Sequence, residues 1–201
     1  MSNRTRTLLA VALLCIGGIV MFFYGRRAWH SYQELKYIRQ QGFGRAEAQV
    51  EDLRAWMPFG FVAVTYAVPE PYLLQALGLP TDTNTQNKPL FMVERDYLSH
   101  APIQHGKEPA ILQTVRDAIA SYRANPVATG KPPIGEWVSL QYVANCMGVP
   151  VSIFFEQLDL PQAGNEYLPL DLLAKEQDYA GGKSALVQAV NAVADELTQQ
   201  P

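Results

Sequence analysis

Residues 52–80 read DLRAWMPFGFVAVTYAVPEPYLLQALGLP, and residues 133–161 read PIGEWVSLQYVANCMGVPVSIFFEQLDLP. The two stretches align at a shift of 81 residues, and a repeat of this length indicates two copies of one structural unit. Eight aligned positions are identical, and they pair Trp56 with Trp137, Val62 with Val143, Ala63 with Ala144, Val68 with Val149, Pro69 with Pro150, Leu77 with Leu158, Leu79 with Leu160 and Pro80 with Pro161.

The repeat and an apolar N-terminal run together predict the organisation of the 201-residue chain. The expected fold class is all-α, with a single N-terminal transmembrane helix followed by two tandem small helical bundles that resemble helix-turn-helix units. The expected segments are a tail at 1–6, a transmembrane helix at 7–25, a juxtamembrane helical segment at 26–51, a first copy at 52–123, a proline-rich joint at 124–132 and a second copy at 133–201.

Apolar periodicity predicts three helices in each copy. In the second copy these are expected at 139–147, 152–158 and 183–197, with a turn at 148–150. Ser139 and Ser152 are suitable N-cap residues for the first two helices.

The spacing of small and apolar residues around this turn is the packing signature of a helix-turn-helix. We expect Trp56 and Trp137 to be buried aromatic anchors. Surplus aromatic residues on the second helix, Tyr72, Phe154 and Phe155, are candidates for a surface that covers the other copy or a partner. The full set of expected core anchors is Trp56, Ala63, Val68, Pro69, Leu77, Trp137, Ala144, Val149, Pro150 and Leu158.

The charge pattern argues against DNA recognition by these units. Such recognition needs polar and basic side chains where the second helix begins, yet residues 70–74 and 151–155 contain neither lysine nor arginine. Residues 52–123 carry 6 basic and 7 acidic side chains, and residues 131–197 carry 3 and 9. Phosphate would be repelled by the second copy, so no nucleic-acid partner is expected.

Residues 7–24 read TLLAVALLCIGGIVMFFY, which contains no charge and no proline. A helix of this length crosses roughly 27 Å of hydrocarbon, so a retained anchor in a bacterial inner membrane is expected rather than a cleaved signal peptide. Arg26, Arg27 and Trp29 would mark the edge of the membrane. The positive flank favours a cytoplasmic C-terminal part, because residues 1–44 hold six basic side chains against one acidic.

The supply of catalytic groups is small, and we expect neither an enzyme nor a bound cofactor. No phosphate-binding loop, nucleophile elbow or zinc-ligand spacing is present in the sequence. His100 and His105 share a proline-containing loop with Glu94 and Asp96 nearby, so a metal-dependent site there stays open, although polar loop residues are the commoner meaning. Cys146 is expected to be a buried small apolar residue.

The repeated pattern, with Trp56, Val62-Ala63, Val68-Pro69 and Leu79-Pro80 in the first copy, resembles a small helical domain of unknown biochemical role. That domain is attached to bacterial cytochrome b-like or ferredoxin-type membrane electron-transfer proteins. The resemblance implies an accessory or assembly subunit of a membrane redox or respiratory complex that binds a protein partner. This chain lacks the cysteine clusters of those proteins, and its single anchor lacks a histidine for haem. The alternative is a membrane-tethered helix-turn-helix transcription regulator.

Overall fold

A computed structural model of the protein describes residues 48–98 and 109–199, all of which belong to one compact unit, Phe43–Pro201. The regular elements in these two ranges are helical, which confirms the all-α class for this part of the chain. A 3-10 turn at Val50–Asp52 comes first, and a π-helical turn at Glu94–Leu98 extends α3. The α-helices are α1 Phe59–Thr65, α2 Glu70–Ala76, α3 Leu90–Val93, α4 Ala110–Ala124, α5 Leu140–Met147, α6 Val151–Gln157, α7 Leu170–Glu176 and α8 Gly182–Gln199.

The N-terminal predictions lie mostly outside the described residues. The expected transmembrane helix at 7–25 and its edge residues Arg26, Arg27 and Trp29 all fall there. Where the structure describes the chain, it contains no helix with the length and apolarity needed to cross a membrane. Of the expected juxtamembrane segment at 26–51, only residues 48–51 are described: Gln49 is extended, and a 3-10 turn begins at Val50.

The expected first helix of the second copy is confirmed as α5, and its cap is the one predicted. The hydroxyl oxygen of Ser139 accepts a hydrogen bond from the backbone N–H of Tyr142 at 3.2 Å. The prediction that Ser152 caps the next helix is wrong, because α6 begins one residue earlier and its N-cap is Pro150. The last predicted helix is confirmed as α8.

In the part of each copy that the structure describes there are four α-helices, rather than the three helices that the periodicity predicts. The additional helices are α3 and α7, which are four and seven residues long. Both begin directly after a proline, Pro89 or Pro169, whose fixed φ suits a helix start. Periodicity does not reveal them, because so short a helix shows barely one or two turns of the pattern.

A short antiparallel contact, which we call the main-chain clamp, holds α3 and α7 against the segments that enter α1 and α5. Isolated bridges pair Pro58 with Pro89 in the first copy and Ser139 with Pro169 in the second. The hydrogen bonds of the clamp run from Leu90 N–H to Met57 O and from Phe91 N–H to Ala55 O at 3.0 Å, and from Leu170 N–H to Val138 O and from Asp171 N–H to Glu136 O at 2.9 Å.

The helix ends also correspond between the copies, although the residue types change. After α1 the left-handed position is Ala67 (φ 50°), and after α5 it is Gly148 (φ 70°). After α2 the same position is Gly78 (φ 71°), and after α6 it is Asp159 (φ 53°). The backbone conformation is therefore kept at both sites, while glycine stands in a different copy at each.

Polar contacts connect both the first copy and the joint to α5 of the second copy. The side-chain amide of Asn145 on α5 donates to the carbonyl oxygen of Ala67 at 2.6 Å, and the hydroxyl of Tyr122 on α4 donates to the carbonyl oxygen of Asn145 at 3.2 Å. In the joint, the N–H groups of Thr129 and Gly130 both donate to the carbonyl oxygen of Cys146, at 2.8 and 2.9 Å. The joint is thus fastened to the end of α5.

Candidate protein-interaction surface

The expected core anchors divide into buried and exposed residues. Trp137 retains 41% of its surface, so the prediction that it is a buried anchor is wrong, and Trp56 is only half-buried. The residue after each tryptophan, Met57 or Val138, is fully buried in its place. Each tryptophan is the third residue of a turn that is closed by a backbone hydrogen bond, from Met57 N–H to Arg54 O or from Val138 N–H to Gly135 O. The chain leaves this turn towards the core, so the residue after the tryptophan is buried. Of the remaining anchors, Pro150 is exposed, Val149 is half-buried, and the buried ones are Ala63, Val68, Pro69, Leu77, Ala144 and Leu158.

Two of the three aromatic residues predicted as a partner surface lie inside the molecule. Phe154 is 0% and Phe155 is 2% exposed, so these two residues are not available to a partner on the folded protein. Helix α6 packs against both α5 and α8, and two covered sides accommodate two adjacent apolar residues. Tyr72 is half-buried, and its ring meets that of Tyr122 edge to face with the centroids 5.1 Å apart.

The turn between α1 and α2, which would carry DNA recognition in the first copy, lies against α5 of the second. Asn145 holds the carbonyl of Ala67, and Tyr142 lies near the backbone of Glu70 at the start of α2. Burial raises the pKa of the Tyr142 phenol well above its ordinary value, so this group is neutral. Burial likewise raises the pKa of the Glu70 carboxyl, and a hydrogen bond with Thr85 partly offsets this effect.

Cys146 is buried, as the sequence predicts, with 1% of its surface exposed. Burial raises the pKa of its thiol to about 12, while hydrogen bonds with Tyr142 and Thr129 act in the opposite direction. A thiol that is protonated and inaccessible at neutral pH serves poorly as a nucleophile or a metal ligand.

His100 and His105 lie outside the described residues, so the possible metal site there stays a prediction. In the parts of the chain that the structure does describe, no three His, Cys, Asp or Glu side chains are grouped so as to hold a metal ion.

Two of the exposed apolar side chains lie on segments joined by the clamp in the second copy. These are Trp137 and Leu172, which retain 41% and 42% of their surface. Each follows an acidic residue, Glu136 or Asp171, and the clamp bond from Asp171 N–H to Glu136 O places the two pairs side by side. Sequence periodicity does not single out Leu172, because it does not predict α7. That helix turns Leu170, Leu173 and Ala174 into the core and leaves Leu172 outside.

Residues 131–197 hold far fewer lysines than carboxylates. Lys131 pairs with Asp195 at 2.7 Å, and Lys183 pairs with Glu136. Residues 131–197 contain one further lysine, Lys175, against seven further carboxylates.

No protein-family model matches the chain, and neither a curated protein nor a solved structure matches it.

Proposed function

We propose that the protein is a single-pass, membrane-anchored subunit without enzymatic activity, which binds or assembles a protein partner in a membrane redox or respiratory complex. Its helical part would face the cytoplasm of a bacterial inner membrane. The observation that carries this proposal is the pairing of two exposed apolar side chains, Trp137 and Leu172, with adjacent carboxylates on a packed helical body. Large aromatic side chains in such positions are typical of binding surfaces.

The membrane part of the proposal rests on the sequence. The 18 uncharged residues at 7–24 suit a bilayer-spanning helix, and the arginines and lysines that follow suit a cytoplasmic flank. The link to redox complexes rests on the resemblance of the repeated pattern.

A membrane-tethered transcription regulator is the alternative. The tight turn at Gly148 and the half-exposed start of α6 support a helix-turn-helix geometry in the second copy. Against it, α2 and α6 carry no basic residue, and α5 packs over the turn of the first copy. Salt-sensitive binding of the purified protein to duplex DNA would favour this alternative.

Affinity purification from native membranes in mild detergent tests the proposal. We expect a tagged chain to recover a membrane-protein partner in a fixed ratio, identified by mass spectrometry. A chain with Trp137→Ala and Leu172→Ser should lose the partner, whereas Val127→Ser, at an exposed apolar residue of the joint, should keep it. Reproducible recovery of the protein alone would contradict the proposal.

A further inference from the structure

The same backbone positions carry different chemistry in the two copies. The clamp is equivalent in both, but only the second copy adds carboxylates beside its tryptophan. The comparison concerns the residues joined by one clamp hydrogen bond and the residue that follows each of them. In the first copy these are Ala55, Trp56, Phe91 and Met92, and in the second copy they are Glu136, Trp137, Asp171 and Leu172. We call the second set the acidic-tryptophan surface.

The indole ring of Trp137 packs against the backbone of Gly135, a position at which a side chain would collide with the ring. A Cβ atom at Gly135 would lie 2.6 Å from Nε1 and 3.0 Å from Cδ1 of Trp137, so the ring edge lies directly against the backbone there. The corresponding residue of the first copy is Arg54. Glycine therefore allows the ring to rest on the main chain, with the exposed part of the ring facing solvent.

The acidic-tryptophan surface already binds one cation, the side-chain ammonium group of Lys183. Lys183 pairs with Glu136, and the pKa of its amine is raised by that hydrogen bond and further by the charge of Asp171. Both side chains of the pair are about half exposed. Exposed ion pairs of this kind contribute little to stability, so an incoming cation can take the place of Lys183.

We propose that the acidic-tryptophan surface docks a segment of a protein partner that combines arginine or lysine with an aliphatic side chain. The cation would sit over the Trp137 ring between the two carboxylates, and the aliphatic group would cover Leu172. The inference rests on the proposed function, because loops of membrane proteins on the cytoplasmic side are enriched in lysine and arginine. Anionic lipids and nucleic acids are the other common ligands on the cytoplasmic side, but they carry negative charge, which the acidic second copy repels.

Fluorescence anisotropy with the full-length protein in detergent tests the proposal. The probe is a labelled ten-residue peptide that alternates arginine and leucine, and its control replaces each arginine with glutamate. We expect the basic peptide to bind and the acidic one not to bind. Changing both carboxylates, Glu136→Gln with Asp171→Asn, should weaken binding at least about tenfold, because two charges and their hydrogen bonds to the cation are lost.

Matched variants distinguish binding at the acidic-tryptophan surface from a general effect of the protein's negative charge. Changing two exposed carboxylates near the end of α6, Glu156→Gln with Asp159→Asn, alters the net charge equally and should leave affinity within about twofold. Lys183→Gln should tighten binding several-fold by freeing Glu136, a result that a purely apolar surface would not give. Equal weakening by both double variants, or no binding of the basic peptide, would overturn the proposal.

A second copy of this chain is the other occupant to consider. If light scattering shows a dimer that Trp137→Ala converts to monomers, the surface is a self-association interface and the proposal is wrong. The two proposals can be distinguished by experiment. If affinity purification recovers no partner, the proposed function is wrong. The inference fails alone when a partner is recovered but its binding does not depend on Glu136 and Asp171.

Discussion

Asn145 of the second copy donates its side-chain amide to the carbonyl oxygen of Ala67 in the first, across 78 residues of sequence and at 2.6 Å. Ala67 is itself 2% exposed and lies in the left-handed region, so its carbonyl has little access to water. This hydrogen bond ties the turn of one copy to a helix of the other.

Asn145→Ala should therefore lower the free energy of unfolding by about 1–3 kcal/mol, because a buried carbonyl loses its partner. The matched control is Asn191→Ala, since the side-chain amide of Asn191 donates to the carbonyl oxygen of Val187 within the same helix, α8. That change should cost less than about 0.5 kcal/mol. Urea unfolding followed by circular dichroism measures both variants, and equal effects would remove the role assigned to the bond between the copies.

Gly148→Ala should be more destabilising than Gly78→Ala. Both glycines have φ near 70°, so alanine costs about 1–2 kcal/mol of backbone strain at either site. At Gly148 the new methyl would also lie 2.8 Å from Cβ of Ala128 in the joint, whereas nothing lies within 4 Å at Gly78. Thermal unfolding of the two variants should separate them, and identical melting temperatures would show that the joint yields freely.

The two serines predicted as N-caps should respond differently to substitution. Ser139→Ala should cost about 1 kcal/mol, because the hydroxyl caps α5 and is fully buried. Ser152→Ala should be nearly neutral, since α6 starts at Val151 with Pro150 as its cap. Chemical denaturation measures both variants, and a larger loss at Ser152 than at Ser139 would contradict a start of α6 at Val151.

Burial of the aromatic residues predicts which substitutions affect folding and which affect binding. Phe154→Ala should cost about 3–5 kcal/mol, because the side chain is fully buried. Trp137→Ala should cost less than about 1 kcal/mol while abolishing recovery of a partner. Unfolding curves and affinity purification on the same two variants check this. A strongly destabilised Trp137→Ala would mean that the indole stabilises the fold instead.

The Cys146 thiol should make stability fall at high pH. Its pKa is about 12 in the folded protein against an ordinary value of 9.0, so the unfolded chain loses this proton first. The contribution of the thiol to the free energy of unfolding is complete below about pH 9 and declines towards pH 12 by about 1.4 kcal/mol per pH unit. Cys146→Ala should flatten the stability profile between about pH 9 and pH 10, below the ordinary pKa of tyrosine, because the buried Tyr142 phenol adds its own decline at higher pH. An unchanged slope between about pH 9 and pH 10 would contradict the assignment to Cys146.

The sequence predicts the repeat, the all-α class and the bounds of α5 closely, because identities and caps are local signals. It fails where side-chain direction depends on tertiary contacts. The size of the tryptophans favours burial, but the clamp turns Met57 and Val138 inwards and leaves Trp137 exposed. The adjacent Phe154 and Phe155 cannot both face one core, but α6 has covered neighbours on two sides. The candidate surface could not be foreseen without α7, whose few turns carry little periodicity.

The main-chain clamp uses only backbone N–H and carbonyl groups, and these are present whatever the side chains are. Residues around it can therefore change without loss of the hydrogen bonds that position them. After duplication, such a scaffold lets the clamp positions of one copy acquire charge while those of the other stay apolar, at little cost to folding. The same property makes the exposed positions of the clamp suitable for grafting new binding specificities onto either half of the protein.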